Sequence, residues 1–466
     1  MGNVDKQQLL EKLEKYGQDH LLAFWDDLDD TQRETLANQI AEVDFDLIAR
    51  LYANRDAVVD VAGVLAQATS PRAVRLGRPS DYSPDDARRR GEEALAAGEV
   101  AALLVAGGQG TRLGFPHPKG MFEIGPVSNR TLFQIHVEKI RARARRYGKP
   151  IPLALMTSPA THDETVAFFA EHDRFGLAED DLLVFCQGTM PAVDAQTGKL
   201  LLAAPDRLAV SPDGHGGMLA ALVKSGTMDK LRSRGIRYLF YFQVDNPLVD
   251  IAAPEVIGYH LLSGSEMTTE VVAKKTPLDR VGNVVQVGDR LHVIEYSDLP
   301  DEMARRTAED GSLLLWAGSI GVHVINLDFL ARMSDSAEAL PFHIARKKVP
   351  YIDARGQAHK PESPNAIKFE RFIFDLIPQA ENAIVVEVDA AEHFAPLKNA
   401  PGAAEDTPEA VKAAIVAFYR KWLEAAGAEI ADGVAVEVSP LFALDVDELR
   451  AKLPAGTKIV EPTYLA

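Results

Sequence analysis

The chain holds one cysteine, Cys186, among 466 residues. No internal disulfide can form, and such sparse cysteine fits a reducing compartment. Basic residues are also in deficit: 50 Lys and Arg stand against 68 Asp and Glu, a formal net charge of -18. Nucleic-acid binders usually carry a basic footprint, so no polynucleotide partner is expected. A phosphate site would have to be a local positive patch in a negative field. No apolar run is long enough to span a membrane, so no membrane partner is expected. The first residues, Met1-Gly-Asn-Val-Asp-Lys-Gln-Gln8, have no signal-peptide core, and Lys6 stands where a myristoylation motif wants Ser or Thr. These absences together predict a cytoplasmic protein. Internal repeats and low-complexity tracts are lacking too. What remains, 47% hydrophobic and 25% charged, is ordinary for a globular chain, and its length suggests two or three domains.

The most informative stretch runs from Leu104 to Gly120. An apolar run, Val100 to Ala106, breaks into Gly107-Gly-Gln-Gly-Thr-Arg-Leu-Gly114 and closes on Pro118-Lys119-Gly120. Glycines let backbone approach a polyphosphate, and successive N–H groups form an anion nest. Arg112 adds a planar fork of donors and Lys119 a compact charge on a long stem. The combination predicts a nucleoside triphosphate site. It is not a Walker A loop, because no Gly-Lys-Ser/Thr follows at the required spacing. Gly108-x-Gly110 with Gly114 approaches a dinucleotide fingerprint, but Pro116 and Pro118 oppose the helix that fingerprint needs. A dinucleotide-dependent oxidoreductase is disfavoured accordingly.

Apolar periodicity predicts helices over residues 4–55, and a Ser-, Pro- and Arg-rich linker from Thr69 to Pro84. From Val100, strands alternate with amphipathic helices: Thr131–Tyr147, His162–His172 and one long helix from Gly217 to Arg234. That alternation argues for an α/β domain with a mostly parallel sheet. Met267–Val324 reads as antiparallel β. The loop 399–408 marks a boundary, with a helix Glu409–Ala426 beyond it. The expected division is a helical amino-terminal region with linker (1–97), a central domain (98–400) and a small carboxy-terminal domain (401–466).

The motifs resemble those of the eukaryotic-type UDP-N-acetylglucosamine pyrophosphorylases, within the wider UDP-sugar pyrophosphorylase group. The resemblance runs nearly end to end. It begins with Gly17-Gln-Asp-His-Leu-Leu-Ala-Phe-Trp25 and Gln39-Ile-Ala-Glu-Val-Asp-Phe45. The glycine-rich loop and Pro118-Lys-Gly-Met121 follow. Next come Gln187-Gly-Thr-Met-Pro191, Pro212-Asp-Gly-His-Gly-Gly217, Val244-Asp-Asn246 and Val293-Ile-Glu-Tyr-Ser297. Last are Lys347-Lys-Val-Pro-Tyr351, Phe372-Ile-Phe-Asp375 and Phe394-Ala-Pro-Leu-Lys-Asn-Ala400. The resemblance implies a Rossmann-like nucleotidyltransferase domain with a mixed, mostly parallel sheet. It implies a uridylyltransferase that joins UTP to a sugar 1-phosphate with Mg²⁺, giving a UDP-sugar and pyrophosphate.

The resemblance also implies roles. Arg112 and Lys119 clamp the triphosphate beside Gly107 and Gly108, and Lys398 reaches the α-phosphate. Asp245 holds the metal, although Asp-Asn after a strand equally fits a turn cap. Gln187 and Gly214 read the uracil; Gly214 equally fits a turn glycine in Pro-Asp-Gly. Gly282 and Glu295 line the sugar, and Glu295 equally fits a strand-face charge. Two positions near the sugar depart from the group. His215 stands where N-acetylglucosamine enzymes usually carry Asn, and Ser319 replaces the Asn of an Ala-Gly-Asn. UDP-glucose and broad UDP-sugar enzymes carry Gly-His-Gly at the first. N-acetylglucosamine 1-phosphate leads as substrate. Glucose 1-phosphate or several sugars is the alternative, and a non-catalytic UDP-sugar sensor the remote one. No zinc spacing is present; His343 is expected to be structural.

Overall fold

The computed structural model describes residues 5–56, 61–336 and 340–466, so residues 1–4 and 57–60 of the expected helical region lie outside the description. Among the described residues the chain forms two compact units. The larger comprises Ala62–Cys186, Leu219–Ala339 and Phe374–Ala466; the smaller comprises Met1–Val61, Gln187–Met218 and Leu340–Ile373.

The larger unit is built on a ten-stranded mixed sheet, mostly parallel as the alternation of strands and helices predicts. Tyr238–Gln243, Val100–Val105, Leu153–Thr157 and Leu182–Cys186 are neighbours in that order, all parallel. Their carboxyl ends therefore lie at one edge, where ligands of open α/β sheets bind. Ala317–Asn326 runs antiparallel beside Tyr238–Gln243 and brings its own amino-terminal end there. The hairpin Gly282–Val287/Arg290–Ile294 joins that end of the strand through Gly282 and Asn283. Ala73–Val74 of the linker adds a parallel edge strand beside Ala383–Glu387.

Leu104, Leu155, Phe240 and Phe242 pack with Phe133, Val137 and Ile140 of the Leu132–Tyr147 helix in one core. That helix starts where sequence suggests, with the Thr131 side chain capping Gln134 N–H. Residues 401–466 join the same core through Val411, Ile415, Tyr419 and Leu423 of the Pro408–Ala425 helix. In the smaller unit, Leu21, Trp25, Leu36 and Ile40 of the first helices pack on Val193, Leu202, Ile367 and Phe369. That shared core is why segments expected in the central domain fold with the amino-terminal helices. The units thus differ from the consecutive division 1–97, 98–400, 401–466.

The long helix expected from Gly217 to Arg234 is two: Met218–Lys224 and Thr227–Ser233. Gly226, with φ +70°, takes the left-handed conformation that ends a helix, and Ser225 Oγ bonds Thr227 Oγ1 across the break. No helix among the described residues is long and apolar enough to cross a membrane.

Candidate active site

The glycine-rich loop leaves the sheet after Val105 and folds on itself. Gly110 N–H donates to His117 O (2.9 Å), and Lys119 N–H to Gly108 O (3.0 Å). A short turn, Thr111–Leu113, ends at Gly114 with φ +72°. The chain after the next strand supports the loop from outside: Ser158 Oγ donates to Gly107 O at 2.7 Å. The glycines have different reasons to be there. A Cβ on Gly110 would sit 2.8 Å from Phe115, so packing demands that glycine. A Cβ on Gly108 would meet nothing within 4 Å, and its φ lies outside the left-handed range. The fold does not require a glycine at 108. The Arg112 side chain is exposed on the turn, and no hydrogen bond or ion pair engages it among the described residues.

At the end of the neighbouring strand Asp245 meets Lys119, with Nζ to Oδ2 at 3.4 Å. Both side chains are largely shielded from solvent, at 17% and 15% exposure. Asp245 O accepts from Leu397 N–H (2.8 Å), which ties it to the segment that carries Lys398. Asn246 strengthens that tie. Its Oδ1 accepts from Leu248 and Ala395 N–H, and its Nδ2 donates to His393 O at 2.6 Å. Lys398 and Asn399 N–H both donate to Asp406 O, and Asp406 has φ +58°. Burial pushes the Asp406 carboxyl above its usual value; among the charges acting on it are Lys398, Asp245 and Lys119. The fold thus gathers Lys119, Asp245 and Lys398, three of the residues singled out in the sequence, around a fourth charge.

Gly282, Glu295 and Ser319 also come together. Gly282 pairs with Ser319 across the strands. A Cβ on Gly282 would lie 3.5 Å from Glu295 Oε1 and 3.9 Å from Ser319 Cβ.

The remaining three belong to the smaller unit. Gln187, just past the Leu182–Cys186 strand, is 6% exposed. Gly214 has φ +84°, and a Cβ there would lie 2.3 Å from Arg371 O. His215 Nδ1 accepts from Ile373 N–H at 3.2 Å, and its ring stacks on Phe372. Burial first, then His343, lowers the His215 pKa to about 4, so the ring is neutral at pH 7 with its proton on Nε2. Arg371 N–H donates to Asp213 O, and the Arg371 guanidinium lies over the Phe342 ring. Burial raises the Asp213 carboxyl to about 6 against the opposing charge of Arg371.

Sequence reasoning missed Asn246, Asp406 and Ser158. A buried Asn directly after the strand-ending Asp was a readable signal for the first. Asp406 and Ser158 act through backbone groups and left none. No group of three His, Cys, Asp or Glu that could hold a metal occurs among the described residues.

A glycine-rich loop with the exposed Arg112 and the shielded Lys119–Asp245 pair, set at the carboxyl ends of parallel strands, is the arrangement of a nucleotide-handling enzyme of the α/β class. Residues 76–404 match the model of the UTP–glucose-1-phosphate uridylyltransferase family, and the chain belongs to that family. It is a nucleotidyltransferase. It is 37% identical over 448 residues to the UDP-N-acetylhexosamine pyrophosphorylase-like protein 1 of Homo sapiens, covering 92% of this chain and 87% of the relative. It is 42% identical over 358 residues to the UDP-N-acetylglucosamine pyrophosphorylase of Saccharomyces cerevisiae, covering 75% of each. Among solved structures it is similar to the uridine diphosphate N-acetylglucosamine pyrophosphorylase of Trypanosoma brucei in complex with inhibitor. The TM-score is 0.82 at 26% identity, with 99% of each chain covered.

Proposed function

We propose that the enzyme makes UDP-N-acetylglucosamine and pyrophosphate from UTP and N-acetylglucosamine 1-phosphate, in the cytoplasm and with Mg²⁺. The observation that carries this reading is the Lys119–Asp245 pair, at 3.4 Å, beside a loop glycine that the fold itself does not require. The sugar follows from the relatives above. In this reading Gly107 and Gly108 admit the phosphates, and Arg112 and Lys119 hold the pyrophosphate that leaves. A phosphate oxygen of the sugar 1-phosphate attacks the α-phosphorus in line, and the bond to the β-phosphate oxygen breaks. The nucleophile is already an anion, so no general base is needed. Catalysis rests on orientation and on fixed positive charge. Lys398 meets the α-phosphate from the segment tied to Asp245. Gln187 hydrogen-bonds the uracil edge beside Gly214. Glu295 accepts from sugar hydroxyls over Gly282 and Ser319, and His215 tunes which sugar is taken.

Asp245 suits Mg²⁺, which takes hard oxygen ligands and often only one or two carboxylates together with substrate phosphates. When bound, the ion would neutralise charge on the phosphates. The test is pyrophosphate release from UTP with a panel of sugar 1-phosphates, with and without Mg²⁺. Fastest turnover with N-acetylglucosamine 1-phosphate is expected. Preference for glucose 1-phosphate would replace the sugar assignment, and no turnover with any of them would favour a sensor.

A further inference from the structure

The Leu132–Tyr147 helix carries His136, Lys139 and Arg143 three and four residues apart, so they share one face. On a surface helix such a stripe would be solvated. Here His136 and Arg143 are buried. All three reach the same stretch of chain, the irregular segment that follows the Tyr238–Gln243 strand. His136 Nε2 bonds Val244 O at 3.0 Å. Lys139 Nζ donates to Pro247 O at 2.6 Å and to Val249 O at 2.8 Å. Arg143 Nε donates to Ile251 O at 3.4 Å, and the guanidinium pairs with the Asp250 carboxylate. Four carbonyls between residues 244 and 251 are thus held by one helix face. Asp245 lies between the first and the second of them.

This is a costly way to pack a loop. Each buried cation gives up its hydration, and apolar replacements of buried ionic groups are often neutral or stabilising. Burial lowers the Lys139 pKa to about 8 and the His136 pKa to about 3. The neutral His136 ring must donate from Nε2 to a carbonyl, and its Nδ1 has no hydrogen-bond partner among the described residues. What the arrangement does supply is position. Carbonyls of an irregular segment need donors when they are buried, and no strand ladder reaches these. Three side chains from a rigid helix fix all four, on both sides of Asp245.

We propose that the His136–Lys139–Arg143 face is the positioning device for Asp245, holding its carboxylate where Lys119 and a divalent cation on the UTP phosphates meet it. The proposal rests on the reading of Asp245 as the metal-holding carboxylate. None of the three side chains is placed on substrate; they are positioning residues.

The test uses the full-length enzyme with Lys139→Met, Asp245→Asn and the double variant. Mn²⁺ affinity in the presence of UTP is read by electron paramagnetic resonance, beside kcat and the KM for sugar 1-phosphate. Mn²⁺ still binds the UTP phosphates when Asp245→Asn has removed the carboxylate, so the affinity stays measurable there. Lys139→Met is expected to weaken Mn²⁺ binding and lower kcat by about tenfold or more, since an ångström of misplacement can cost on the order of 10². The sugar KM should change far less. In the Asp245→Asn background Lys139→Met should leave Mn²⁺ affinity unchanged, because the group it positions is gone. Unchanged Mn²⁺ affinity in the single Lys139→Met variant, or equal losses in both backgrounds, would overturn the proposal. If Asp245→Asn alone changes neither Mn²⁺ affinity nor kcat, the metal reading fails instead. Should Lys139→Met not fold, His136→Leu removes the bond to Val244 O while keeping an apolar filler, and is read by the same outcomes.

Discussion

Two glycine-rich loops carry most of the nucleotide expectation, and they differ in why their glycines are there. In Pro212–Gly217 every glycine is accounted for by the smaller unit's own packing. Gly214 has a left-handed φ, and its Cβ would strike Arg371 O. A Cβ on Gly216 would lie 2.8 Å from backbone of Arg371 and Phe372, and one on Gly217 would lie 2.0 Å from Asp213 Oδ1. In the 107–114 loop Gly110 and Gly114 answer to the fold in the same way, but Gly108 does not. The cations differ as well. Arg371 lies over Phe342 near Asp213, whereas Arg112 is exposed and unengaged among the described residues. A residue type that the fold does not explain is the stronger pointer to a ligand. By that measure the 107–114 loop carries more functional information than the 212–217 loop, although the two look alike as strings of letters.

The largest expected effect tests the first loop's charge. Lys119→Ala should lower kcat by about 10²–10³, the scale for removing one preorganised charge from a transition state. Its melting temperature should also fall somewhat, because the largely shielded Asp245 carboxylate loses its partner. Steady-state rates beside a thermal melt decide it; wild-type kcat would remove Lys119 from the chemistry.

The next pair breaks the comparison directly. Gly108→Ala should leave the protein as stable or more stable by about 0.4–1 kcal/mol, as for glycine replacements at ordinary φ. It should also lower kcat/KM for UTP about tenfold, a loss of about 1.4 kcal/mol. Gly214→Ala should do the reverse in stability, costing about 2–3 kcal/mol through strained backbone and the contact with Arg371 O. Denaturant unfolding and UTP kinetics on both variants are the measurement. If Gly108→Ala unfolds the loop, or Gly214→Ala is harmless to stability, the distinction between the loops collapses.

The same criterion applies to a buried side chain. Glu270, in the Met267–Ala273 strand, is buried, and its Oε2 has no hydrogen-bond partner among the described residues. Burial first, and then Asp250, pushes its pKa from 4.5 to about 8. The folded state therefore keeps a proton that the unfolded chain releases between those two values, so this group's contribution to stability falls as pH rises through that window. Glu270→Gln should stabilise the protein at pH 8 by something on the order of 1–3 kcal/mol and have little effect near pH 5. Melts at both pH values check it. Equal shifts at the two would mean that the carboxyl does not titrate in this window, and Glu270 would then be explained by packing alone.

Legibility followed the physics of each signal. The sheet could be read because buried parallel strands are continuous apolar runs punctuated by helical periodicity. The glycine-rich loop and Asp245 each follow a strand, so a parallel sheet puts both at the same end; that the two strands are neighbours and that Lys119 meets Asp245 came only from the structure. The unit boundaries were not. Residues 187–218 and 340–373 join the first helices only through a shared core, which local patterns do not encode. The break at Gly226 was missed because apolar spacing continues through it. Ser158 and the His136–Lys139–Arg143 face work by binding backbone carbonyls, and a carbonyl acceptor leaves no letter in a sequence.

The smallest expected effect concerns the second loop and the choice of sugar. His215 is held on its own unit by Ile373 N–H at Nδ1 and by stacking on Phe372, so its ring position is set without any ligand. It is neutral at working pH, because burial and His343 keep its pKa at about 4. An acetamido group needs room and a hydrogen-bonding partner, and Asn supplies both in a smaller volume than an imidazole. His215→Asn should therefore raise kcat/KM for N-acetylglucosamine 1-phosphate relative to glucose 1-phosphate by about threefold to tenfold, the low end of what one small group in a pocket is worth. It should also cost about 0.5–1.5 kcal/mol of stability through the lost ring stacking. Both sugars are measured side by side in wild type and variant. A changed ratio would make His215 the one member of the 212–217 loop whose identity answers to a ligand. An unchanged ratio with reduced stability would place it with Gly214 as a packing residue. The comparison between the loops would then be complete, with the sugar chosen elsewhere, most directly by Glu295 and Ser319 around Gly282.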